Sequence, residues 1–425
     1  MFKELKLSLN TLESNKSSLK MIDELIASKN NKVKILLEQK SLFEMNKWNV
    51  NETNENIEHS TGKFFKIMGI KNINSSHPII FQPEIGILGI LASNISGVLH
   101  FLMQLKVEPG NINGVQISPT FQATKSNYSR AHGGKVPKYF EIFNNLNYGK
   151  YICSQLLSEQ GNRYFKKKNN NVIKIVDEKD VTNNDDYVWM TLGQIKYYFN
   201  TPNLINSCAR SILSMLLKDS KVDEEIINLP TLFNIINSQK KFDNSYKLLK
   251  NISDLESWKY INGELKSIIP SFSIKGFNIA IQDREVMSWD QPLFSENRKG
   301  EYGLLIFKKN NVKYIVWKLR YEVGLNYNYE LGPTWLIRHD ENDYNKINKI
   351  INSSKIIYEN ELSEEGGRFF NSVFKHKIYL NEIDLSADLE YPYVCLTVNQ
   401  TQNLMNFSDF FTIEARSLWS TYYEN

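Results

Sequence analysis

The chain has 425 residues, 41% of them hydrophobic and 12% aromatic, which is enough apolar material for two sizeable cores and too much for a disordered protein. Its 51 basic and 47 acidic residues leave a formal net charge of +4, and neither sign forms a long run, which argues against a nucleic-acid-binding surface. Three widely spaced cysteines, Cys153, Cys208 and Cys395, include no CxxC pair, so they fit a reduced, cytoplasmic compartment rather than a disulfide framework or a zinc clamp.

The opening Met1-Phe2-Lys3-Glu4-Leu5-Lys6 lacks the apolar run of a secretory signal. From Leu5 to Lys47, Leu7, Leu12, Leu19, Ile22, Leu25 and Ile26 recur at helical spacing, so residues 1–47 read as a helical lead-in. Trp48 opens a first unit, 48–218. Its most apolar stretch, Ile85 to Met103, is interrupted by Ser93, Asn94, Ser96 and His100, which predicts buried strands and no membrane span. Val98 to Val107 predicts a strand, and Gly110, Asn111 and Asn113 mark the turn after it. Val115 to Ser118 and Thr120 to Thr124 alternate apolar with polar residues, so one sheet face should present Gln and Thr. Tyr139 to Ser158 carries helical periodicity, with Gly161 as its expected terminator. A charged, helix-patterned connector spans 219–255. The second unit, 256–425, is entered near Trp258 and predicts a strand over Lys313 to Arg320, a helix over Tyr344 to Glu361 and a helix terminator at Gly366.

The two units repeat one another. Ser158-Glu159-Gln160-Gly161-Asn162-Arg163-Tyr164-Phe165 returns about two hundred residues later as Ser363-Glu364-Glu365-Gly366-Gly367-Arg368-Phe369-Phe370. Around it, Gln82-Pro83 pairs with Gln291-Pro292, Leu105-Lys106-Val107-Glu108 with Leu319-Arg320-Tyr321-Glu322, Pro119-Thr120 with Pro333-Thr334, Tyr187-Val188 with Tyr393-Val394, and Ala209-Arg210-Ser211 with Ala415-Arg416-Ser417, all in the same order. A period this long implies duplicated domains, each an α+β unit with its own core, and no solenoid.

Phe101-Leu102-Met103-Gln104-Leu105-Lys106-Val107-Glu108-Pro109-Gly110-Asn111, Gly114 to Thr120, Gln122-Ala123-Thr124, Ser126-Asn127-Tyr128 and His132-Gly133-Gly134 carry a resemblance, with His59-Ser60-Thr61-Gly62-Lys63-Phe64-Phe65 and Gln82 to Gly89 supporting it. Over roughly Trp48 to Tyr422 the chain resembles the NDP-hexose 2,3-dehydratases. The resemblance implies two tandem domains of Nudix-like topology, each a mixed sheet with packed helices, in a homodimer. It also implies a nucleotide-linked 4-keto-6-deoxyhexose as substrate, with thymidine as the usual nucleoside (dTDP), and a 3-ketoreductase acting on the unstable product. The positions aligned with a Nudix metal box, Ser154 to Gly161 and Glu359 to Gly366, lack several of its glutamates, so no metal and no other cofactor is expected. A metal-dependent Nudix hydrolase and a catalytically silent nucleotide-sugar binder remain the alternatives.

A ketone at C4 acidifies the hydrogen at C3, leaving the protein to provide a base, a donor to the enolate oxygen and an acid for the departing C2 hydroxyl. Glu108, Tyr128 and His132 are the candidate acid–base groups and Lys106 the candidate donor to O4. For binding, Gly133-Gly134-Lys135 and Gly366-Gly367-Arg368 offer close backbone approach and a cation, and Trp48 and Trp289 offer faces for a base. Gln104, Gln116, Thr120, Gln122, Thr124 and Asn127 form a polar comb for sugar hydroxyls. His59, Lys63, Ser129, Arg130, Ala131, Arg163, Gln291, Arg320 and Arg338 complete the candidate set. Each has a plainer alternative: Glu108 bonding turn amides, His59 a structural histidine, the tryptophans core, the comb a wet surface. Because the His-Gly-Gly segment and Gln104 have no counterpart in the second unit, catalysis is expected in the first.

Overall fold

The computed structural model describes residues 2–50, 56–72, 76–128, 136–182, 185–216, 225–243, 247–269, 271–282, 286–297, 299–338 and 343–422. In chain order the first half contains α1 (Phe2–Leu9), α2 (Leu19–Lys32), β1 (Ile35–Lys40), β2 (Trp48–Asn49), β3 (Ile57–His59), β4 (Lys66–Lys71), β5 (Ser76–Phe81), β6 (Gly86–Ile95), β7 (Val98–Val107), β8 (Val115–Ser118), β9 (Phe121–Ala123), α3 (Lys125–Tyr128), α4 (Phe140–Asn144), β10 (Lys150–Ser158), β11 (Tyr164–Phe165), β12 (Lys168–Ile175), β13 (Tyr187–Thr191), α5 (Leu192–Tyr198) and α6 (Ser207–Leu213). The second half contains α7 (Leu229–Phe242), β14 (Leu248–Lys250), β15 (Trp258–Ile261), β16 (Glu264–Ser267), β17 (Ser273–Ile281), β18 (Ser288–Ser295), β19 (Gly300–Lys309), β20 (Val312–Tyr321), β21 (Tyr329–Gly332), β22 (Trp335–Ile337), α8 (Asn348–Asn352), β23 (Lys355–Ser363), β24 (Phe369–Phe370), β25 (Val373–Asn381), β26 (Tyr393–Thr397), α9 (Val398–Leu404) and α10 (Ile413–Thr421).

Among the described residues these strands make four sheets, matched in pairs. A large sheet in the first half runs β10-β12-β6-β7-β13, with β8 on β7 and β9 on β6; the second half repeats it as β23-β25-β19-β20-β26, with β21 on β20 and β22 on β19. In both, one central pair is parallel, β12 with β6 and β25 with β19, so each is a mixed sheet. Short turn chemistry sets the registers. Ser96 and Gly97 join β6 to β7 with φ of 53° and 84°, and Asn310 and Asn311 do the same between β19 and β20 at 51° and 62°. Positive φ at both turn residues matches the right-handed twist of the paired strands, and Gly and Asn adopt it at least cost. Helices α5 and α9 each start with a capping box, Thr191 with Gln194 and Thr397 with Gln400, which satisfies amides that the first turn leaves open.

Two small sheets complete the fold, and each contains one strand from the other half. The order β2-β3-β4-β5-β11 is extended by β14 on β4, and β15-β16-β17-β18-β24 by β1 on β17, from Ile35 opposite Ile281 to Lys40 opposite Gly276. The expected helical lead-in is thus helical in α1, α2 and a short 3-10 turn over Leu42–Glu44. Its β1 end is a strand, as is the β14 end of the expected helical connector. The expected helices over Tyr139–Ser158 and Tyr344–Glu361 are also corrected: helix survives in α4 and α8, and the rest is β10 and β23. Both strands carry a register shift, between Tyr151 and Cys153 and between Ile356 and Tyr358. A bulge breaks the two-residue alternation and leaves apolar spacings that imitate a helix. Gly161 and Gly366 therefore end no helix; they sit in turns after these strands.

The halves meet through α6 and α10. The buried Arg210 guanidinium donates to Ile205 O (2.5 Å), Ser363 O (2.6 Å) and Ser417 Oγ (2.7 Å). Arg416 donates reciprocally to Phe411 O (2.5 Å), Ser158 O and Ser211 Oγ (3.0 Å). Each arginine therefore binds its own helix's lead-in and the other half's β10 or β23 end. Arg210→Ala and Arg416→Ala should each lower the unfolding free energy in urea by about 3–5 kcal/mol, because carbonyls and hydroxyls would be left buried without donors. Losses within about 0.5 kcal/mol would mean that the halves are held together elsewhere.

Candidate functional site

Alternation along β7 puts Gln104, Lys106 and, just past the strand, Glu108 on one face, and that face meets the opposite half. Glu108 is buried, with only 4% of its surface exposed, whereas Gln104, Lys106 and Gln122 are half-buried. Its Oε1 accepts from Lys106 Nζ at 2.8 Å and from Gln122 Nε2 at 3.2 Å; its Oε2 accepts from Asn206 Nδ2 at 3.3 Å. The same Gln122 Nε2 lies 3.2 Å from Glu365 Oε1, and Tyr164 donates its phenol to Glu365 Oε2 at 3.3 Å. Glu365 is a residue of the second half. Burial and then the neighbouring Glu108 push its carboxyl above the usual range.

Backbone contacts fix this meeting. Gly110 N donates to Gly366 O at 2.8 Å and Asn371 N to Gly110 O at 3.1 Å. A β-carbon on Gly110 would stand 1.7 Å from Phe369 O, so only glycine permits the turn after Glu108 to seat against the Gly366–Phe369 turn. From the second half, Gln291 Nε2 donates to Gly367 O (2.6 Å) and Trp289 Nε1 to Gln291 Oε1 (3.1 Å). Arg368 lies over the Phe65 ring at 4.2 Å, anchored by its bond to Gly367 O, and its buried Nε has no partner among the described residues. Of the sequence candidates, Glu108, Lys106, Gln104, Gln122, Trp289, Gln291, Gly366, Gly367 and Arg368 thus converge on one composite site.

Other candidates are placed differently. Ser129, Arg130, Ala131, His132, Gly133, Gly134 and Lys135 lie outside the described residues. Tyr128 donates to Ile85 O (3.3 Å) and stacks on Phe140, so its hydroxyl is not directed at Glu108. Thr120 is structural: it receives Leu91 N at 2.9 Å and donates to Leu102 O, as Thr334 does with Leu305 N and Val316 O. Gln116 is fully buried and bridges the halves, donating to Asn203 O (2.8 Å) and Ser363 Oγ (2.7 Å). Thr124 and Asn127 bond each other in a local turn. Trp48 belongs to the core between the small sheets, with Nε1 on Asp290 O at 2.7 Å, and so offers no open face to a base. His59 binds Thr61 at 2.9 Å and packs edge-on to Trp48; Lys63 is exposed in the same turn, just before Phe65.

Among the described residues, the matching position in the second half is filled by ion pairs. Glu322 accepts Gly161 N at 2.8 Å, and Gly324 fits against Gly161 O and Tyr164 O as Gly110 does against its own turn. There, Lys318 and Arg320 are both tied to Asp343, Arg338 to Glu414, Arg163 to Glu296 (2.8 Å), and all these groups are buried or nearly so. Arg163, Arg320 and Arg338 are consequently held in ion pairs, whereas no carboxylate lies within ion-pair distance of Arg368 among the described residues. Hollows of about 180 Å³ beside Lys16 and Trp189 and about 670 Å³ beside Ser93 and Asp180 include none of these acid–base groups.

Sequence reasoning missed Glu365, Asn206 and Tyr164. One signal was in view: the repeated block reads Glu364-Glu365 in one copy and Glu159-Gln160 in the other.

Comparison with known proteins gives a consistent result. A family model described as NDP-hexose 2,3-dehydratase matches residues 19–216 and 232–421. A dTDP-4-dehydro-6-deoxy-alpha-D-glucopyranose 2,3-dehydratase of Amycolatopsis orientalis is 32% identical over 404 residues, covering 88% of this chain and 84% of the relative. One of the same description from Saccharopolyspora spinosa is 30% identical over 413 residues (88% and 85%), and one from Streptomyces violaceoruber is 27% identical over 403 residues (89% and 90%).

Burial at the junction of the halves also predicts a pH dependence. It pushes the Glu159, Glu330 and Glu364 carboxyls up to about 7, against an ordinary 4.5. The folded state then keeps protons that the unfolded chain has released, so stability falls as pH rises from about 4.5 to about 7. His376, held near 3 by burial, and His100, also lowered by burial, act in the opposite sense below their ordinary 6.5, but burial raises Glu322 and Glu365 as well, so the carboxyls outnumber the histidines. The melting temperature should therefore drop between pH 5 and pH 7.5, and Glu364→Gln should make that drop shallower in calorimetry. An unchanged slope in the variant would show that Glu364 is ionised throughout.

Proposed function

Because this chain belongs to the NDP-hexose 2,3-dehydratase family, we propose that its composite site at the end of β7 eliminates water across C2 and C3 of a nucleotide-linked 4-keto-6-deoxyhexose, with dTDP as the nucleotide. The enzyme is a hydro-lyase. The observation that carries the site assignment is Glu108, buried yet bonded to the ammonium of Lys106, at a junction that also holds Glu365 and Arg368, an arginine with no carboxylate in ion-pair distance among the described residues.

In this reading Glu108, held as a carboxylate by Lys106, removes the C3 proton that the C4 ketone has acidified. Lys106 is within reach of the same region and steadies the negative charge that develops on O4. Departure of the C2 hydroxyl gives an enol, which becomes a 2-deoxy-3,4-diketo sugar. The substrate's own carbonyl is the electron sink, so the elimination requires neither a redox group nor a Lewis acid. Arg368, free to meet a diphosphate, and Trp289, half-buried beside Gln291, are the nucleotide-binding residues of this proposal.

The finer organisation is proposed on the same basis. The matched sheet orders and the two stretches covered by the family model support two tandem Nudix-like domains, of which we take the first as catalytic. A homodimer, a cytoplasmic location and a following 3-ketoreductase complete the reading, the last because a released diketo sugar is unstable.

Incubation with dTDP-4-keto-6-deoxyglucose in EDTA, followed by mass spectrometry, should show loss of one water with the nucleotide intact. Diphosphate cleavage restored by a metal, or binding without turnover, would replace the proposal with a hydrolase or a silent binder. Glu108→Gln should lower turnover by roughly 10² to 10⁴ and abolish deuterium exchange at C3, whereas Glu322→Gln should change stability more than turnover. The reverse pattern would move catalysis to the second half. Arg368→Ala should raise the dissociation constant for dTDP by at least about tenfold, as expected for loss of a charge-assisted contact, and an unchanged constant would remove it from the site.

A further inference from the structure

We propose that Glu365, a residue of the second half, is the acid that protonates the departing C2 hydroxyl, so that the dehydratase site divides its base and its acid between the two halves. The inference rests on Glu108 as the base and names its missing complement. Gln122 Nε2 stands 3.2 Å from one oxygen of each carboxyl, which brings Glu108 and Glu365 to the same amide nitrogen. Two carboxyls so close in a buried place do not ionise together. The surroundings decide which one holds the proton. Lys106 lies on Glu108 at 2.8 Å, with Asn206 donating to its other oxygen. Glu365 has only the neutral Gln122 and Tyr164 as hydrogen-bond partners among the described residues; Arg368 and Lys106 act on it as nearby charges, and burial and Glu108 outweigh them. The negative charge therefore sits on Glu108 and the proton on Glu365. The raised carboxyl of Glu365 agrees with this.

One more polar atom at the junction is placed for a substrate hydroxyl. Gln122 Oε1 is buried without a partner among the described residues while its Nε2 touches both carboxyls, leaving an acceptor next to the acid and the base.

The counterpart of Glu365 makes the assignment sharper. In the second-half site the equivalent position is Gln160, an amide that donates to Glu364 Oε2 at 2.5 Å, and Gln122 is replaced there by Leu336. An amide has no acid proton to give. The second site thus lacks the acid, while the first receives a carboxyl from the other half.

The steps balance. Glu108 takes the C3 proton, the C2–O bond breaks with its electrons staying on oxygen, and Glu365 gives that oxygen the proton with which it leaves as water. The C2–C3 double bond forms an enol. In tautomerisation C2 accepts the proton from Glu108 and the O3 proton returns to Glu365, so both residues regain their starting states.

Three substrates or readouts distinguish this acid from the base. Glu365→Gln should lose dehydration by roughly 10² to 10⁴ while C3 deuterium exchange stays within a few-fold of the unaltered enzyme. Glu365→Asp should restore part of the dehydration. With a 2-deoxy-2-fluoro analogue, whose fluoride leaves with little need of a proton, Glu365→Gln should approach the unaltered rate, which also shows that the variant is folded. Equal loss on the fluoro and hydroxyl substrates, loss of exchange together with elimination, or full dehydration by Glu365→Gln would each overturn the proposal. Retained exchange in Glu108→Gln would instead overturn the base on which it rests, and the fluoride comparison still judges Glu365 by itself.

Discussion

The crossed arginines of α6 and α10 are the constraint on which the composite site depends. Arg210 holds the end of β23, and Arg416 holds the end of β10, each by its last backbone carbonyl before the turn. Those turns are the segments that enter the opposite half's cleft. A guanidinium is rigid and presents its donors in a fixed plane, so it sets distance and orientation together in a way a lysine would not. The position of Glu365 beside Glu108 is therefore fixed from behind, by a buried polar junction away from the substrate. Glycine at 110 and 324 then allows the two backbones to approach closely enough for that junction to reach the cleft.

From this common frame the two matched positions have diverged in their side chains. In one, Lys106, Gln104 and Gln122 are half-buried around the buried, bonded Glu108. In the other, Asp343 collects Lys318 and Arg320, and Glu414 takes Arg338, so the space is filled with neutralised charge. Buried ion pairs of this kind are weak as sources of stability but strongly resist the loss of one member. The second-half position is thereby locked as structure.

Much of this was legible in the chain. The repeated blocks occupy equivalent places in matched sheets, Val98–Val107 and the alternating strands after it are where their patterns put them, and the candidates Glu108, Lys106 and Gln122 share one hydrogen-bonded cluster. The misreadings have local causes. Bulges at Tyr151 and Ile356 gave two strands the apolar spacing of helices, and β1 and β14 were too short and polar to stand out from the helical segments before them. Trp48 was left open between a binding face and core, because an isolated tryptophan does not reveal whether its ring is covered; here the small sheets cover it. What no local pattern could reveal is which turn faces which strand across two hundred residues. The difference between Glu365 and Gln160 was visible, but its meaning required knowing that each turn serves the other half's cleft.

The exchange of β1 and β14 has a consequence for the protein's birth on the ribosome. Residues Ile35–Lys40 are made early, yet their partner strand ends at Ile281, so the nascent first half must wait with an unpaired strand while most of the second half is still to be synthesised. Pairings of such long sequence separation form slowly, and an open edge meanwhile can recruit a neighbouring chain. The acidic and lysine side chains Glu38 and Lys40 on that strand would discourage such pairing, as charges on exposed edges generally do. The same exchange means that severing the chain between the halves would not yield two self-sufficient domains, since each would lack a strand that the other carries away. An ancestor built from one such unit would have had to find its sixth strand in a second copy of itself.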